Sequence, residues 1–366
     1  MILEKPEMLT FSPESAYLLV GCLGGLGRSL TAFMMERGCV NFVFISRSGA
    51  DKPDAALLVQ ELKEAGASVE VYRGDASSEA DVTGIVSQVK TTHDIRGVVH
   101  AAMVLEDGMF EGISYESFTA AIKPKVLGAL NLHNALKDTT LDFFVMTSSI
   151  SAVLGNPGQS NYSAANSYLD SLAWHRNKHG LAATSLTLPM VLDVGVVSEN
   201  ENIELSLLRK GMYGIDEKEM LKGFETAMSL PIPTADTATR GSAQIICGLE
   251  PSFLAAAVSS TDAVDPYWYN DVRLSGIRST VEIILKSSTS SSGSGSGNFV
   301  SSLKALAAEG MDAILQAIVQ HTIAKCSSIL MVPVEDFEFD GRSIASYGLD
   351  SMIGHDAWVL LGGMDK

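Results

Sequence analysis

Short apolar runs alternate with longer amphipathic stretches from Tyr17 to about Gly195. The runs at 17–20, 40–45, 68–72, 97–100, 143–147 and 183–188 are rich in β-branched and aromatic residues and too short for stable helices. They read as strands. Between them, residues 28–37, 55–65, 79–90, 115–136 and 161–179 place apolar side chains at helical spacing. Strand–helix alternation with buried strands predicts an α/β fold built on a doubly wound parallel sheet.

The pattern changes after residue 285. Residues 286–297 (KSSTSSSGSGSG) are small and polar, the composition of a flexible coil that cannot pack. They predict a domain boundary: 1–285 as one domain, 286–298 as linker and 299–366 as a smaller appendage. In 303–330, Leu303, Leu306, Ile314 and Ile318 fall at helical spacing. A loop with Pro333 follows, and then Tyr347-Gly348-Leu349-Asp350-Ser351. No repeat at a fixed period is evident.

A length of 366 residues with 46% apolar content leaves room for this division and an ample core. The 32 glycines suit many tight strand-to-helix turns. A formal net charge of −17, with no basic stripe, argues against a nucleic-acid partner and for solubility. Cys22, Cys39, Cys247 and Cys326 are far apart and show no metal-ligand spacing, so neither a structural metal nor a disulfide framework is expected. The N-terminus lacks a signal-peptide pattern, and no apolar run is long enough for a membrane helix. A cytoplasmic protein is the expectation.

Directly after the first strand stands Gly21-Cys22-Leu23-Gly24-Gly25-Leu26-Gly27. Such glycines let a chain turn sharply and approach a pyrophosphate, and the helix N-terminus behind them, near Arg28, supplies free N–H groups and a positive dipole end. A tight turn alone would need similar residues. The second strand ends in Ser46-Arg47-Ser48 with no carboxylate. An acidic residue there would hold a ribose 2′-hydroxyl, whereas Arg47 suits a 2′-phosphate, so the Rossmann-type cradle is expected to take NADPH. Gly74-Asp75-Ala76 ends the third strand, where Asp75 can accept from an adenine amino group, or Asp75 or Ser77 can cap a helix. His100-Ala101-Ala102 ends the fourth, its small residues able to line the cofactor ribose. His100 itself reads more as a packed core histidine than as an acid or base.

Lys125, Ser149, Tyr162 and Asn166 follow at spacings of 24, 13 and 4. Tyr162 and Asn166 share one helical face, and Ser149 falls at the carboxyl end of a strand, where open α/β sheets bind ligands. A carbonyl that accepts hydride becomes an alkoxide and needs a proton at once. A phenol can give it if a nearby ammonium and an oxidised nicotinamide favour the phenolate and pull its pKa down. Ser149 can hold the carbonyl oxygen, and Asn166 can anchor a water that resupplies the proton. Singly, these residues could be an interior aromatic, a strand-end cap, a solvated lysine and a turn asparagine. Jointly they point to carbonyl reduction, with no metal.

Residues 17–285 resemble the catalytic part of a ketoreductase domain from a fungal, highly reducing type I polyketide synthase. The match lies in the Gly21 to Gly27 turn, Ser46 to Ser48, Val98 to Met103, Lys125-Val126-Leu127-Gly128, Ser148-Ser149-Ile150-Ser151 and the run from Gly155 to Asn166. In these short-chain-dehydrogenase relatives asparagine stands four residues after tyrosine, and the lysine comes from an earlier helix. The resemblance implies NADPH-dependent reduction of a β-ketoacyl thioester on an acyl carrier domain to the β-hydroxyacyl product. Tyr162 would be the acid, Ser149 the carbonyl holder, and Lys125 and Asn166 the tuning and relay pair. Other synthase domains would be partners.

Leu105-Glu106-Asp107 resembles the Leu-Asp-Asp element of ketoreductases giving one alcohol configuration, and Leu154 stands where the opposite class carries tryptophan. Residues 299–352 resemble a carrier domain, with Gly348-Leu349-Asp350-Ser351 as the phosphopantetheine attachment motif and Ser351 as the modified residue. Against the family pattern, the chain is expected to carry a truncated carrier segment and to lack the structural subdomain preceding the catalytic one. A free-standing reductase of a diffusible ketone, or an inactive remnant, are the alternatives.

Overall fold

A computed structural model describes residues 9–194, 207, 210–230, 243–259, 268–291 and 310–330. These divide into two compact units. The first comprises described residues up to 194 with 213–230 and 243–250; the second comprises the rest.

The first unit is an α/β sandwich. Its elements are β1 (Ala16–Val20), α1 (Gly25–Glu36), β2 (Asn41–Ser46), α2 (Pro53–Glu64), β3 (Ser68–Arg73), α3 (Glu79–Val89), β4 (Ile95–His100) and α4 (Tyr115–Leu136). They continue with β5 (Phe143–Ser149), α5 (Ser151–Leu154), α6 (Ser160–Lys178), β6 (Thr184–Leu188), α7 (Glu217–Ser229) and β7 (Gln244–Ile246). Seven strands pair in parallel in the order β3-β2-β1-β4-β5-β6-β7. This is the expected doubly wound architecture. The order reverses between β1 and β4, which opens a crevice at their carboxyl ends.

Strand periodicity divides the core. In β1, Tyr17 and Leu19 face one layer with Leu30, Phe33 and Met34 of α1 and Met220 and Phe224 of α7. Ala16, Leu18 and Val20 face the other, with Val82 and Val86 of α3, Leu132 of α4 and Leu169 of α6. Every β1 side chain is buried because helices cover both faces.

The local signals were sound to within a few residues, with some corrections. Helix α1 begins at Gly25 with Gly24 as its N-cap, not near Arg28, because the glycine turn leads directly into helical backbone. Ser78, rather than Asp75 or Ser77, caps α3, accepting from the N–H of Asp81. Helix α7 and the three-residue β7 were not anticipated. The capping box of Asp216 and Glu219 that opens α7 is visible in the sequence and would have located it.

In the second unit, α8 (Pro251–Ser259) packs on α9 (Ser275–Ser291). Trp268 is buried and donates from Nε1 to the carbonyl of Lys210 at 3.1 Å. Helix α9 runs into the stretch read as linker from Lys286, since an established helix extends through serines at little cost. The described part of the 303–330 periodicity is α10 (Met311–Leu330). Leu303, Leu306, Pro333 and Ser351 lie outside the described residues. Among the described residues no helix is long and apolar enough to cross a membrane.

Candidate active site

A cleft of about 810 Å³ lies at the carboxyl ends of β1, β2, β3 and β4. Gly21, Gly24 and Gly25 floor it, Ser46, Arg47 and Ser48 line one wall, and Asp75, Ala76, Ala101 and Ala102 line the others. Gly21 has φ +74°, and a Cβ there would come within 2.5 Å of the Ala102 Cα, so only glycine fits. A Cβ on Gly24 would meet nothing within 4 Å and would stand in the open cleft. The α1 N-terminus begins at this point, presenting free N–H groups to the space. These features fit a pyrophosphate.

The cleft also contains cations that the motif reading passed over. Arg28 lines it and pairs with Glu61, and Lys52, at the N-cap of α2, lines it beside Asp54. Arg73, near Gly49, pairs with Asp51 at 2.6 Å. Arg47 is exposed and has no carboxylate partner among the described residues.

Leu26, Gly27 and His100 are not among the residues lining the cleft, and Leu26 packs against the core. A Cβ on Gly27 would fall 1.6 Å from the Cys22 carbonyl oxygen, so this glycine serves close packing of helix against turn. His100 is buried under α4, its ring beside Gly128, and neither ring nitrogen has a hydrogen-bond partner. Burial, with the charge of Lys125 nearby, pushes its pKa down to about 3. His100 is thus a neutral core histidine, as its sequence context suggested. Asp75 lines the cleft, with Oδ1 accepting from the Ser77 N–H and hydroxyl at 2.9 and 2.8 Å.

The four candidate reacting residues come from three elements. Ser149 ends β5, Tyr162 and Asn166 stand one turn apart on α6, and Lys125 reaches over from α4. Lys125 Nζ donates to the Thr147 carbonyl at 2.7 Å and lies 5.4 Å from the Tyr162 ring centroid. Asn166 Nδ2 donates to the Tyr162 carbonyl at 2.8 Å, and its buried Oδ1 has no hydrogen-bond partner. The Tyr162 hydroxyl is 3.9 Å from the sulfur of Met103, which lines the end of the cleft. Pro124, the neighbour of Lys125, lines it too. None of the four lines the cleft itself; Tyr162 and Lys125 adjoin it through Met103 and Pro124.

The electrostatics differ from expectation. Burial raises the pKa of Tyr162; the Asn166 and Ser149 side chains oppose that shift, and the charge of Asp107 adds to it. Burial also lowers the Lys125 pKa to about 7, opposed by the carboxylate of Asp170. In both groups burial disfavours the charged form.

The loop carrying Leu105-Glu106-Asp107 is held against the segment leading into α6. Gln159 Nε2 donates to both Asp107 oxygens at 3.3 and 3.0 Å, Asn161 Nδ2 donates to the Glu106 carbonyl at 2.8 Å, and the Gly108 N–H donates to the Gly158 carbonyl at 2.8 Å. Met103 and Leu105 expose apolar side chains beside this loop.

The family model described as KR domain matches residues 15–193, the stretch that carries the cleft and all four reacting residues. Residues 15–193 belong to the KR domain family, and the chain is similar to polyketide synthases that carry such a domain. It is 44% identical over 364 residues to the reducing polyketide synthase DEP5 of Alternaria brassicicola, covering 98% of this chain and 15% of that protein. With the highly reducing polyketide synthase resH of Aspergillus sclerotiorum it shares 40% identity over 367 residues, 95% of this chain and 14% of that protein. The ketoreductase chain thus spans about one-seventh of these relatives. Solved structures agree: an A1-type ketoreductase aligns with TM-score 0.62 and 25% identity over 77% of this chain and 56% of that one. PlmKR1, the ketoreductase from the first module of phoslactomycin biosynthesis in Streptomyces sp. HK803, gives 0.58 and 28% over 70% and 57%.

Proposed function

We propose that the chain reduces a β-ketoacyl thioester, carried on an acyl carrier domain, to the β-hydroxyacyl thioester with NADPH as hydride donor. The observation that carries this reading is the pairing of Tyr162 with Lys125 and Asn166 beside Met103, which lines a cleft edged by Gly21, Gly24 and Gly25. Gly21, Gly24 and Gly25 would admit the pyrophosphate, and Arg47 would pair with the 2′-phosphate. Asp75 would take the adenine amino group, and Ala76, Ala101 and Ala102 would border the ribose. When bound, the cofactor supplies the hydride.

The chain's own residues manage the oxygen and the proton. Ser149 donates to the carbonyl oxygen, a bond that strengthens as charge develops. Tyr162 holds its proton firmly at rest, because burial raises its pKa, and releases it to an oxygen that has become strongly basic. The unmatched Oδ1 of Asn166 is a buried acceptor of the kind that holds an ordered water. Such a water would restore the phenolic proton.

Because the relatives are polyketide synthases, the partners would be other polyketide synthase domains and the product a polyketide intermediate. The same reading assigns Ser351 as a phosphopantetheine attachment point, tested by intact mass after treatment with a phosphopantetheinyl transferase. The central test is NADPH consumption by the purified chain with a β-ketoacyl N-acetylcysteamine thioester or trans-1-decalone. Turnover that vanishes in Tyr162→Phe supports the proposal. NADPH-independent behaviour, or equal turnover in the variant, overturns it.

A further inference from the structure

We propose that Met103 is a specificity-determining residue of the reductase site, its side chain forming the wall against which a group flanking the reacting carbonyl must pack. This deepens the reductase reading and rests on it for the reaction. Met103 follows β4 by three residues, where it lines the end of the cleft and stays exposed. The Tyr162 hydroxyl donates to its thioether sulfur at 3.9 Å. A thioether is a weak acceptor, so a carbonyl oxygen readily takes its place. To receive the phenolic proton, that oxygen must come within hydrogen-bond reach of the same hydroxyl. To receive hydride, the carbonyl carbon must face the cleft that would hold the cofactor. Met103 is where the cleft and the hydroxyl meet. Lys125, 5.4 Å from the ring centroid, is buried, whereas Met103 is open to solvent, so the approach to the hydroxyl runs past Met103. A substituent on the carbonyl carbon therefore meets this side chain.

The backbone on both sides of Met103 is anchored. On one side the Ala101 N–H donates to the Val20 carbonyl at 2.8 Å, and Ala102 packs so closely on Gly21 that a Cβ on the glycine would fall 2.5 Å from its Cα. On the other side the buried Asn161 donates from Nδ2 to the Glu106 carbonyl at 2.8 Å, while its Oδ1 accepts from the Tyr162 N–H at 2.8 Å. One side chain thus ties the Met103 loop to the residue that carries the phenol. The Gly108 N–H adds a bond to the Gly158 carbonyl at 2.8 Å. With the backbone held, the side chain of Met103 is the part left to yield. An unbranched thioether adapts by rotation, and it makes room for a slim group at less cost than for a branched one. Leu105, exposed two residues on, adds apolar surface beside it. Ketones with methylenes on both flanks of the carbonyl are the favoured class, and branching at a flanking carbon is the feature disfavoured.

The test compares, in the full chain, kcat/KM for 3-oxohexanoyl N-acetylcysteamine thioester with that for its 2,2-dimethyl and 4,4-dimethyl counterparts, so that each flank is branched in turn. Met103 is exposed, so Met103→Ala is expected to fold normally. In that variant the preference for the unbranched thioester over at least one branched counterpart is expected to drop by about tenfold, the scale of a methyl-sized change in an apolar site. Met103→Leu has similar bulk without the sulfur and is expected to keep the native preference. A native chain without that preference, an unchanged preference in Met103→Ala, or an equal loss in Met103→Leu each overturns the proposal. A second readout needs no turnover. The ¹³C-methyl NMR signal of Met103, identified by its absence from Met103→Leu, is expected to shift when the chain with NADP⁺ is titrated with the unbranched thioester. A shifted signal in a chain that reduces no ketone upholds the wall and removes the reductase reading instead. An unmoved signal overturns the proposal.

Discussion

The ammonium of Lys125 donates to the Thr147 carbonyl across 2.7 Å, tying α4 to the strand that ends in Ser149. The amine lies 5.4 Å from the centroid of the Tyr162 ring, so the lysine approaches the phenol from a different helix. Burial draws an amine in this position toward its neutral form, which makes its surroundings part of the chemistry.

Replacing Tyr162 by Phe removes the proton donor and little packing. Turnover is expected to fall by roughly 10²–10⁴-fold while NADPH affinity stays within a factor of about two, since the hydroxyl lies at the cleft's end and not on its floor. Steady-state kinetics with cofactor titration by fluorescence measures both. Retained turnover would remove the phenol from the mechanism.

Arg47→Ala is expected to weaken NADPH by roughly tenfold or more, the worth of a charge-assisted bond to phosphate, and to leave NADH nearly unchanged. Isothermal titration with both cofactors separates the cases. An equal loss for both would assign the selectivity to Lys52 or Arg28, which line the same cleft.

Two neighbouring glycines should respond oppositely to alanine. Gly27→Ala forces a methyl onto the Cys22 carbonyl and is expected to cost about 3 kcal/mol or more in urea unfolding. Gly24→Ala meets nothing in the fold and should cost about 1 kcal/mol at most, yet place its methyl where the cofactor passes and weaken NADPH. Comparable unfolding costs would contradict the packing role of Gly27.

Lys125 makes stability depend on pH with a definite sign. Its folded pKa, about 7, lies below its ordinary value, so in between the unfolded chain binds the additional proton. Its contribution to stability therefore rises with pH across that window and is most unfavourable below it. The melting-temperature advantage of Lys125→Met over the native chain is expected to shrink from about pH 6 to about pH 9. A pH-independent difference in melting scans would refute the depressed pKa.

Much of this fold is decided locally. Alternation of short β-branched runs with amphipathic stretches makes six of the seven strands and the helices between them, because buried strands and surface helices need different periods. The turn from Gly21 to Gly27 must be tight whatever surrounds it. Tyr162 and Asn166 must share a face because four residues make one helical turn, and Ser149 must end a strand because the apolar run stops there. Other features arise only when distant segments meet. Sheet order brings Lys125 of α4 beneath Tyr162 of α6, and burial, which no spacing encodes, sets the direction of both pKa shifts. The inward turn of His100 and the packing duty of Gly27 follow from the same cause. Desolvation and Coulomb interactions act through space across strand and helix boundaries, so they take their values from the packed tertiary structure and not from separation along the chain.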